Sequence, residues 1–144
     1  CYVTHDHGSY RRYLAAVDQR LGCGHGLQAA LEVWANVQSC PEPGLAILSA
    51  GKRDASYDIE MPLPVHWWRA AEARLDPAPA GWTIGAMNDQ HAYLRFAPDA
   101  AAAPQGGDRV GLGISHPCTT FDKWRWLAVV DEGYDVVDAV ATCF

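Results

Sequence analysis

The feature that most constrains this chain is a short apolar run that ends in two side chains able to bind a metal. The run from Val110 to Ile114 is followed by His116, Pro117 and Cys118. Such a run predicts a buried β-strand, and a proline, which has no backbone N–H, is expected to end regular pairing. Residues two apart in an extended chain project to the same side. His116 and Cys118 are therefore expected to point to one place at the edge or mouth of a sheet.

An imidazole nitrogen and a thiolate sulfur are the ligand types that suit zinc best. A closed structural zinc site needs about four ligands, and no CxxC or HxxxH pair elsewhere in the sequence supplies the rest. A metal held by two protein ligands would keep open positions, as a catalytic site requires. The alternative is a strand end with a packed thiol and a hydrogen-bonded imidazole. Spacing alone leaves both interpretations open.

The remaining sequence predicts a mainly β domain. One helix is predicted at residues 10–21, with Ser9 as its cap and Gly22 as its end, and a short one at 66–74. A low-complexity surface loop is predicted at residues 98–107. The pattern fits a small β-barrel or folded sheet with one or two short helices. Its strands are predicted at residues 1–6, 27–39, 45–49, 82–87, 92–96, 110–114, 125–130 and 134–142.

Length and composition limit the class of protein. A chain of 144 residues is one ordinary domain. The formal net charge of −6, with no basic run, argues against nucleic acid as a partner. No apolar run reaches the length of a membrane span. The five cysteines are irregularly spaced and do not suggest a disulfide framework, so a reducing cytoplasm is the simpler expectation.

The segment from Gly111 to Trp124 resembles the C-terminal signature of the D-serine dehydratase and D-threonine aldolase-like enzymes. Its Thr-Thr-Phe-Asp-Lys-Trp ending is similar to the D-amino-acid deaminase branch. Residues 1–6, 51–58 and 88–94 fit the same family in the same order. The resemblance implies a β-domain of the alanine-racemase C-terminal type. It also implies that residues 1–144 are a single C-terminal metal-binding domain, without the N-terminal (β/α)8 barrel that carries pyridoxal phosphate.

The resemblance implies that His116 and Cys118 hold zinc or another divalent metal. That metal would polarise the β-hydroxyl of a small D-amino acid for elimination to pyruvate and ammonia. The intact enzyme would be a cytoplasmic carbon–oxygen lyase of the ammonia-lyase type. The N-terminal barrel domain is the expected partner of this domain, and the intact enzyme is expected to be a homodimer. This chain alone would be inactive. The alternatives are a D-threonine aldolase-type retro-aldol lyase, a non-catalytic zinc-binding module and a cysteine hydrolase using Cys118.

Three more residues are candidates for the same site. His91 would act as a hydrogen-bonding or metal-supporting group, Asp122 would orient His116, and Tyr57 would approach the substrate. A turn histidine, a capping aspartate and a surface tyrosine are the structural alternatives. The His-Asp-His run at residues 5–7 is predicted to make local hydrogen bonds rather than a ligand set. The sequence assigns no catalytic residue and no cofactor-binding residue to this chain.

Overall fold

The computed structural model describes residues 4–22 and 26–143, and a curled antiparallel sheet is its largest feature. The sheet has seven strands in the order β4-β3-β7-β1-β2-β6-β5 within the described residues. The prediction of a mainly β domain built on a folded sheet is confirmed. The strands are β1 (Glu32–Glu42), β2 (Leu45–Leu48), β3 (Leu63–Arg69), β4 (Arg74–Pro77), β5 (Thr83–Met87), β6 (Ala92–Arg95) and β7 (Arg109–Gly113).

Strand β7 lies between β1 and β3 and forms the centre of the core. Val110, Leu112 and the following Ile114 are fully buried, as the apolar run predicts. They pack with Leu48 of β2 and Leu94 of β6, which are equally buried. Full burial of a side chain of this size contributes about 1.5–3 kcal/mol. The core therefore fixes the position at which β7 ends and the metal-capable residues begin.

The predicted hairpin of β1 and β2 is present. Glu42 pairs with Leu45 across a two-residue turn, in which Gly44 has a φ of +79° that favours glycine. Strand β1 begins at Glu32, later than the predicted residue 27. The predicted first strand lies partly outside the described residues, and residues 4–6 are not in a strand.

Helix α1 (Ser9–Leu21) confirms the predicted first helix. The cap is not Ser9, because Oδ1 of Asp6 accepts hydrogen bonds from the N–H groups of Gly8 (2.7 Å) and Tyr10 (3.1 Å). Gly22 ends the helix with a φ of +67°. No helix among the described residues is long and apolar enough to cross a membrane.

The predicted helix at residues 66–74 is wrong. Its first half belongs to β3 and its last residue begins β4. Trp67 is buried against Trp82, with 5.0 Å between ring centroids, and its indole N–H donates to Asp108 at 3.0 Å. Pairing of β3 with both β7 and β4 outweighs the helix propensity of the alanines in this stretch.

Strands β8 (Trp126–Val130) and β9 (Val136–Ala141) form the predicted last hairpin as a separate two-stranded sheet. Its turn is tied to the main sheet by Tyr134, whose hydroxyl donates to the Glu32 carboxylate at 3.0 Å. The same oxygen lies 2.9 Å from Nδ1 of His66, and the Tyr134 ring packs edge-on against Trp34 at 5.2 Å. The contact joins β1 and β3 across β7, because Glu32 lies on β1 and His66 on β3.

These contacts predict that Tyr134 ionises at a higher pH than the other tyrosines. Burial, and then the negative charge of Glu32, raise the pKa of Tyr134 above its usual value. The contribution of a raised pKa to folding stability is fully present below the ordinary tyrosine pKa of about 10, and it is lost as pH rises through the folded-state value. An alkaline titration of phenolate absorbance should therefore show one of the six tyrosines ionising after the others. Tyr134→Phe should remove that late step, and simultaneous ionisation of all tyrosines in the folded protein would contradict the assignment.

Candidate metal centre

His116 lies where the chain leaves β7 and turns into a second helix. Helix α2 (Pro117–Phe121) has Pro117 in its first turn, where the fixed φ of proline suits a helix start. His116 itself is extended, with φ −137° and ψ 87°. The expectation that the chain stays extended through Cys118 is therefore wrong, since Cys118 lies within α2. His116 is the residue that precedes α2, and Cys118 lies in its first turn, so the two are brought to the end of β7 by the start of a helix.

His116 is oriented by a carboxylate that the sequence did not indicate. Its Nδ1 lies 2.6 Å from Oδ2 of Asp58, whose other oxygen accepts a hydrogen bond from Thr119 at 3.1 Å. Burial alone would raise the pKa of Asp58, but the bonds from His116 and Thr119 outweigh it and hold the pKa below its usual value. Asp58 is thus an anion that accepts from Nδ1–H. This tautomer leaves the Nε2 lone pair of His116 for a ligand, as in metal-binding histidines.

The loop that carries Asp58 is fastened to α2 by hydrogen bonds. The backbone N–H of Ser56 donates to Oγ1 of the fully buried Thr120 at 3.0 Å. The Ser56 hydroxyl accepts from the backbone N–H of His116 at 3.3 Å, and the Trp124 indole donates to the carbonyl of Asp54 at 2.7 Å. Asp58 and His116 therefore sit on two segments that are held together as one unit.

Cys118 is solvent-exposed and is engaged in a disulfide. The irregular cysteine spacing gave no indication of this disulfide, while Cys40 and Cys143 are free. A metal ligand has to be a thiolate, so Cys118 becomes available to a metal only on reduction. Across residues 4–22 and 26–143, no group of three or more His, Cys, Asp or Glu side chains is arranged to hold a metal.

The other sequence candidates lie apart from this pair or beside it. Asp122 has its carboxylate 3.7 Å from Lys123, and the orienting role expected of it is taken by Asp58. The His91 ring makes no hydrogen bond, ion pair or ring contact with the described residues. Tyr57 precedes Asp58 in the chain and is 42% exposed, with Lys52 Nζ 5.2 Å from the centre of its ring, a cation–π contact.

The sequence of residues 30–130 matches the family described as the putative serine dehydratase domain. The chain belongs to this family. That membership confirms the resemblance seen in the sequence between residues 111 and 124. None of the curated proteins matches the chain.

Solved structures of two enzymes share the fold of this serine dehydratase-family domain. D-threonine aldolase from Filomicrobium marinum matches with a TM-score of 0.65 and 23% identity, over 80% of this chain and 28% of that one. D-threo-3-hydroxyaspartate dehydratase from Delftia sp. HT23 matches with a TM-score of 0.54 and 23% identity, over 75% of this chain and 31% of that one. The chain thus spans about three tenths of the length of these enzymes.

Two mutants of D-threo-3-hydroxyaspartate dehydratase match as well. One replaces a histidine by alanine, and the other, in a metal-free form, replaces a cysteine by alanine. The metal-free mutant has a TM-score of 0.54 and 22% identity, over 75% of this chain and 31% of that one. The two mutated positions are two residues apart in that enzyme, which is the spacing of His116 and Cys118 here.

Proposed function

We propose that this chain is the metal-binding C-terminal domain of a pyridoxal-phosphate-dependent D-serine dehydratase or D-amino-acid deaminase. The observation that carries the proposal is the 2.6 Å contact between Nδ1 of His116 and the Asp58 carboxylate. It leaves Nε2 available for a ligand at the start of α2, the helix that carries Cys118. Membership of the serine dehydratase family supports the assignment.

The chemistry of the related enzymes supports the same class of substrate. Serine, threonine and 3-hydroxyaspartate all carry a hydroxyl group on the β-carbon. Both structural relatives are named for the D-form of such an amino acid. The metal-free cysteine mutant of the dehydratase supports a metal at a histidine and cysteine pair with the spacing of His116 and Cys118. We therefore propose a lyase that acts on a small D-β-hydroxy amino acid.

The donor set fits a divalent metal of the zinc type. His116 offers an imidazole nitrogen, and Cys118, once reduced, offers a thiolate that favours zinc over a hard cation. A bound divalent cation would supply Lewis-acid polarisation of the substrate β-hydroxyl, which is otherwise a poor leaving group. Asp58 keeps His116 in the Nδ1–H tautomer, and Thr119 holds Asp58 in place. These residues therefore present a fixed nitrogen lone pair to the cation.

We further propose that pyridoxal phosphate is held by an N-terminal barrel domain of the same enzyme. The chain's coverage of about three tenths of its structural relatives supports a further large lobe. The intact enzyme would be a homodimer in the cytoplasm, where a reducing environment keeps Cys118 as a thiol.

The reaction is tested with the enzyme that contains this domain. Metal-dependent formation of pyruvate and ammonia from D-serine is expected. Glycine and acetaldehyde from D-threonine would instead indicate the aldolase alternative. Metal binding without turnover of either amino acid would overturn the enzymatic proposal in favour of a zinc-binding module.

Reduction of the chain is expected to increase its bound zinc. The reduced protein offers the Cys118 thiolate together with His116, whereas the disulfide form offers only the histidine. Elemental analysis after dialysis should give about one zinc per reduced chain and clearly less for the oxidised chain. Cys118→Ala should remove this dependence on reductant, while Cys143→Ala, which changes a free and exposed thiol, should leave it intact.

Asp58→Asn is expected to weaken zinc binding about 10- to 100-fold. The amide keeps the size of the carboxylate but loses its charge, so it no longer stabilises the Nδ1–H tautomer of His116. A zinc titration of the reduced protein measures the effect. Asp122→Asn is the matched control, since Asp122 pairs with Lys123 rather than His116. Equal affinities of the Asp58 variant and the unmodified protein would contradict the orienting role.

A further inference from the structure

Polar side chains also gather on the face of the main sheet opposite the core, over two glycines of β7. Gly111 and Gly113 point to the side opposite Val110 and Leu112. A Cβ atom at Gly113 would lie 2.6 Å from Nδ1 of His7. At Gly111 it would lie 3.0 Å from the Trp34 ring. Side chains from other segments therefore lie flat on β7, on a surface that we call the glycine face.

His66 is held on the glycine face in a defined tautomer. The single proton of the Tyr134 hydroxyl goes to Glu32 at 3.0 Å, so Nδ1 of His66 acts as the donor to Tyr134 (2.9 Å) and Glu32 (3.1 Å). Trp34 stacks on the His66 ring, with 6.2 Å between centroids and an angle of 8°. Nε2 of His66 makes no hydrogen bond with the described residues. A neutral His66 therefore presents a fixed acceptor at Nε2.

The glycine face opens into a cavity of about 530 Å³ whose lining includes His7, Arg11, Gln28 and His66. The volume lies within the range of about 300–1,000 Å³ of small-molecule sites. Arg11 forms no ion pair with the residues that the structure describes, unlike Arg12, which pairs with Glu60 at 2.7 Å. No carboxylate is among the described residues that line the cavity. The cavity thus has an unpaired guanidinium on one wall.

His7 lines the same cavity and is also incompletely satisfied. Its Nδ1 is buried without a hydrogen-bond partner in the described part of the chain. Burial lowers the pKa of His7. Glu32 opposes this effect, and the guanidinium of Arg11 adds to it. Arg11, His7 and His66 all line this one cavity, where one small ligand could meet them.

We propose that this cavity binds a small free amino acid, whose carboxylate pairs with Arg11 and whose ammonium group donates to Nε2 of His66. A simple anion would be repelled by the Nε2 lone pair of His66 and by the Glu32 carboxylate behind it. A simple cation would be repelled by the Arg11 guanidinium. A zwitterion satisfies both ends, and charged groups make the stronger hydrogen bonds. The site is separate from His116 and Cys118, which do not line the cavity, so it does not depend on the proposed metal.

Glycine is the probe, and binding is followed by the histidine ring signals in NMR spectra of the whole chain with a chelator present. Acetate and methylamine are the comparison ligands, each at matched ionic strength. Acetate carries only the carboxylate of glycine, and methylamine carries only its ammonium group. Glycine is expected to shift the His7 and His66 signals saturably, with each half-molecule binding at least about tenfold more weakly. Arg11→Gln and His66→Gln should each weaken glycine binding by a similar factor. Arg12→Gln is the matched control and should have no effect.

Three results would overturn the proposal: the absence of a saturable shift, acetate binding as tightly as glycine, or full binding in Arg11→Gln. Loss of glycine binding in His116→Ala would also overturn it, because the ligand would then belong to the metal centre. Arg11 is exposed, so its replacement does not disturb the core. Arg11→Gln therefore decides the matter even if His66→Gln folds poorly.

Discussion

Replacement of His116 by alanine is expected to abolish zinc binding by the reduced chain. His116 is the one ligand whose orientation is fixed by a carboxylate, at 2.6 Å from Asp58. Loss of an orienting partner alone costs about 10- to 100-fold in metal affinity, so loss of the ligand itself should exceed about 100-fold. Elemental analysis after dialysis and a zinc titration measure the change. In the intact enzyme, the same substitution should remove turnover of D-serine.

The matched control is His91→Ala, which removes an imidazole that makes no hydrogen bond, ion pair or ring contact with the described residues. It should retain full zinc content and a similar melting temperature. The His116 variant should also stay folded, because the hydrogen bond from its backbone to Ser56 does not involve the imidazole. Unchanged zinc per chain in folded His116→Ala would rule out the metal centre proposed at this position.

The sequence was sufficient to predict the centre of the fold. Four elements could be predicted because each combines a clear hydrophobic period with turn residues at its ends. They are the apolar run of β7, the hairpins β1–β2 and β8–β9, and helix α1. Trp67 is buried in the core, within a stretch that was predicted to be a helix. The stretch around it was misread because alanine and arginine favour helices, whereas its pairing partner β7 lies about 40 residues further along the chain.

The contacts within the candidate metal centre were predicted only in part. His116 was identified from its own motif, but its partner Asp58 is 58 residues away in sequence, and no local rule connects them. Asp122 was chosen because it is near in sequence, which is a poor guide when two segments are joined by tertiary contacts. The signal available was the family-like stretch at residues 51–58. Likewise, Pro117 was read as the end of a strand, although proline is equally suited to start a helix.

Asp58 depends on a loop whose start is closely packed against another turn. The N–H of Lys52 donates to the carbonyl of Asn88 at 2.9 Å, and that of Arg53 to the carbonyl of Asp89 at 3.0 Å. Gly51 donates to Asp54 at 2.8 Å. These bonds set the path of the chain up to Ser56, which holds α2. The position of Asp58 in the candidate metal centre therefore depends on the contact between Gly51 and the β5–β6 turn.

Gly51→Ala is expected to lower both folding stability and zinc affinity. A Cβ atom at Gly51 would lie 2.6 Å from the carbonyl oxygen of Asp89 and would also meet the carbonyl oxygen of Asn88. Both are backbone atoms fixed by the hairpin, so they cannot move aside as a flexible side chain would. Such overpacking costs about 2–3 kcal/mol, which corresponds to a fall of roughly 5–10 °C in melting temperature. Thermal unfolding of the metal-free protein measures it.

Gly106→Ala is the matched control, because the nearest atom to its Cβ would be the carbonyl oxygen of Gln38 at 4.0 Å. Its stability should change by less than about 0.5 kcal/mol. In Gly51→Ala, the loop has to move away from the turn and carry Asp58 with it, so zinc affinity should fall toward that of Asp58→Asn. A Gly51 variant that loses stability but binds zinc normally would mean that Asp58 is positioned by α2 alone. An unchanged melting temperature would contradict the close packing itself.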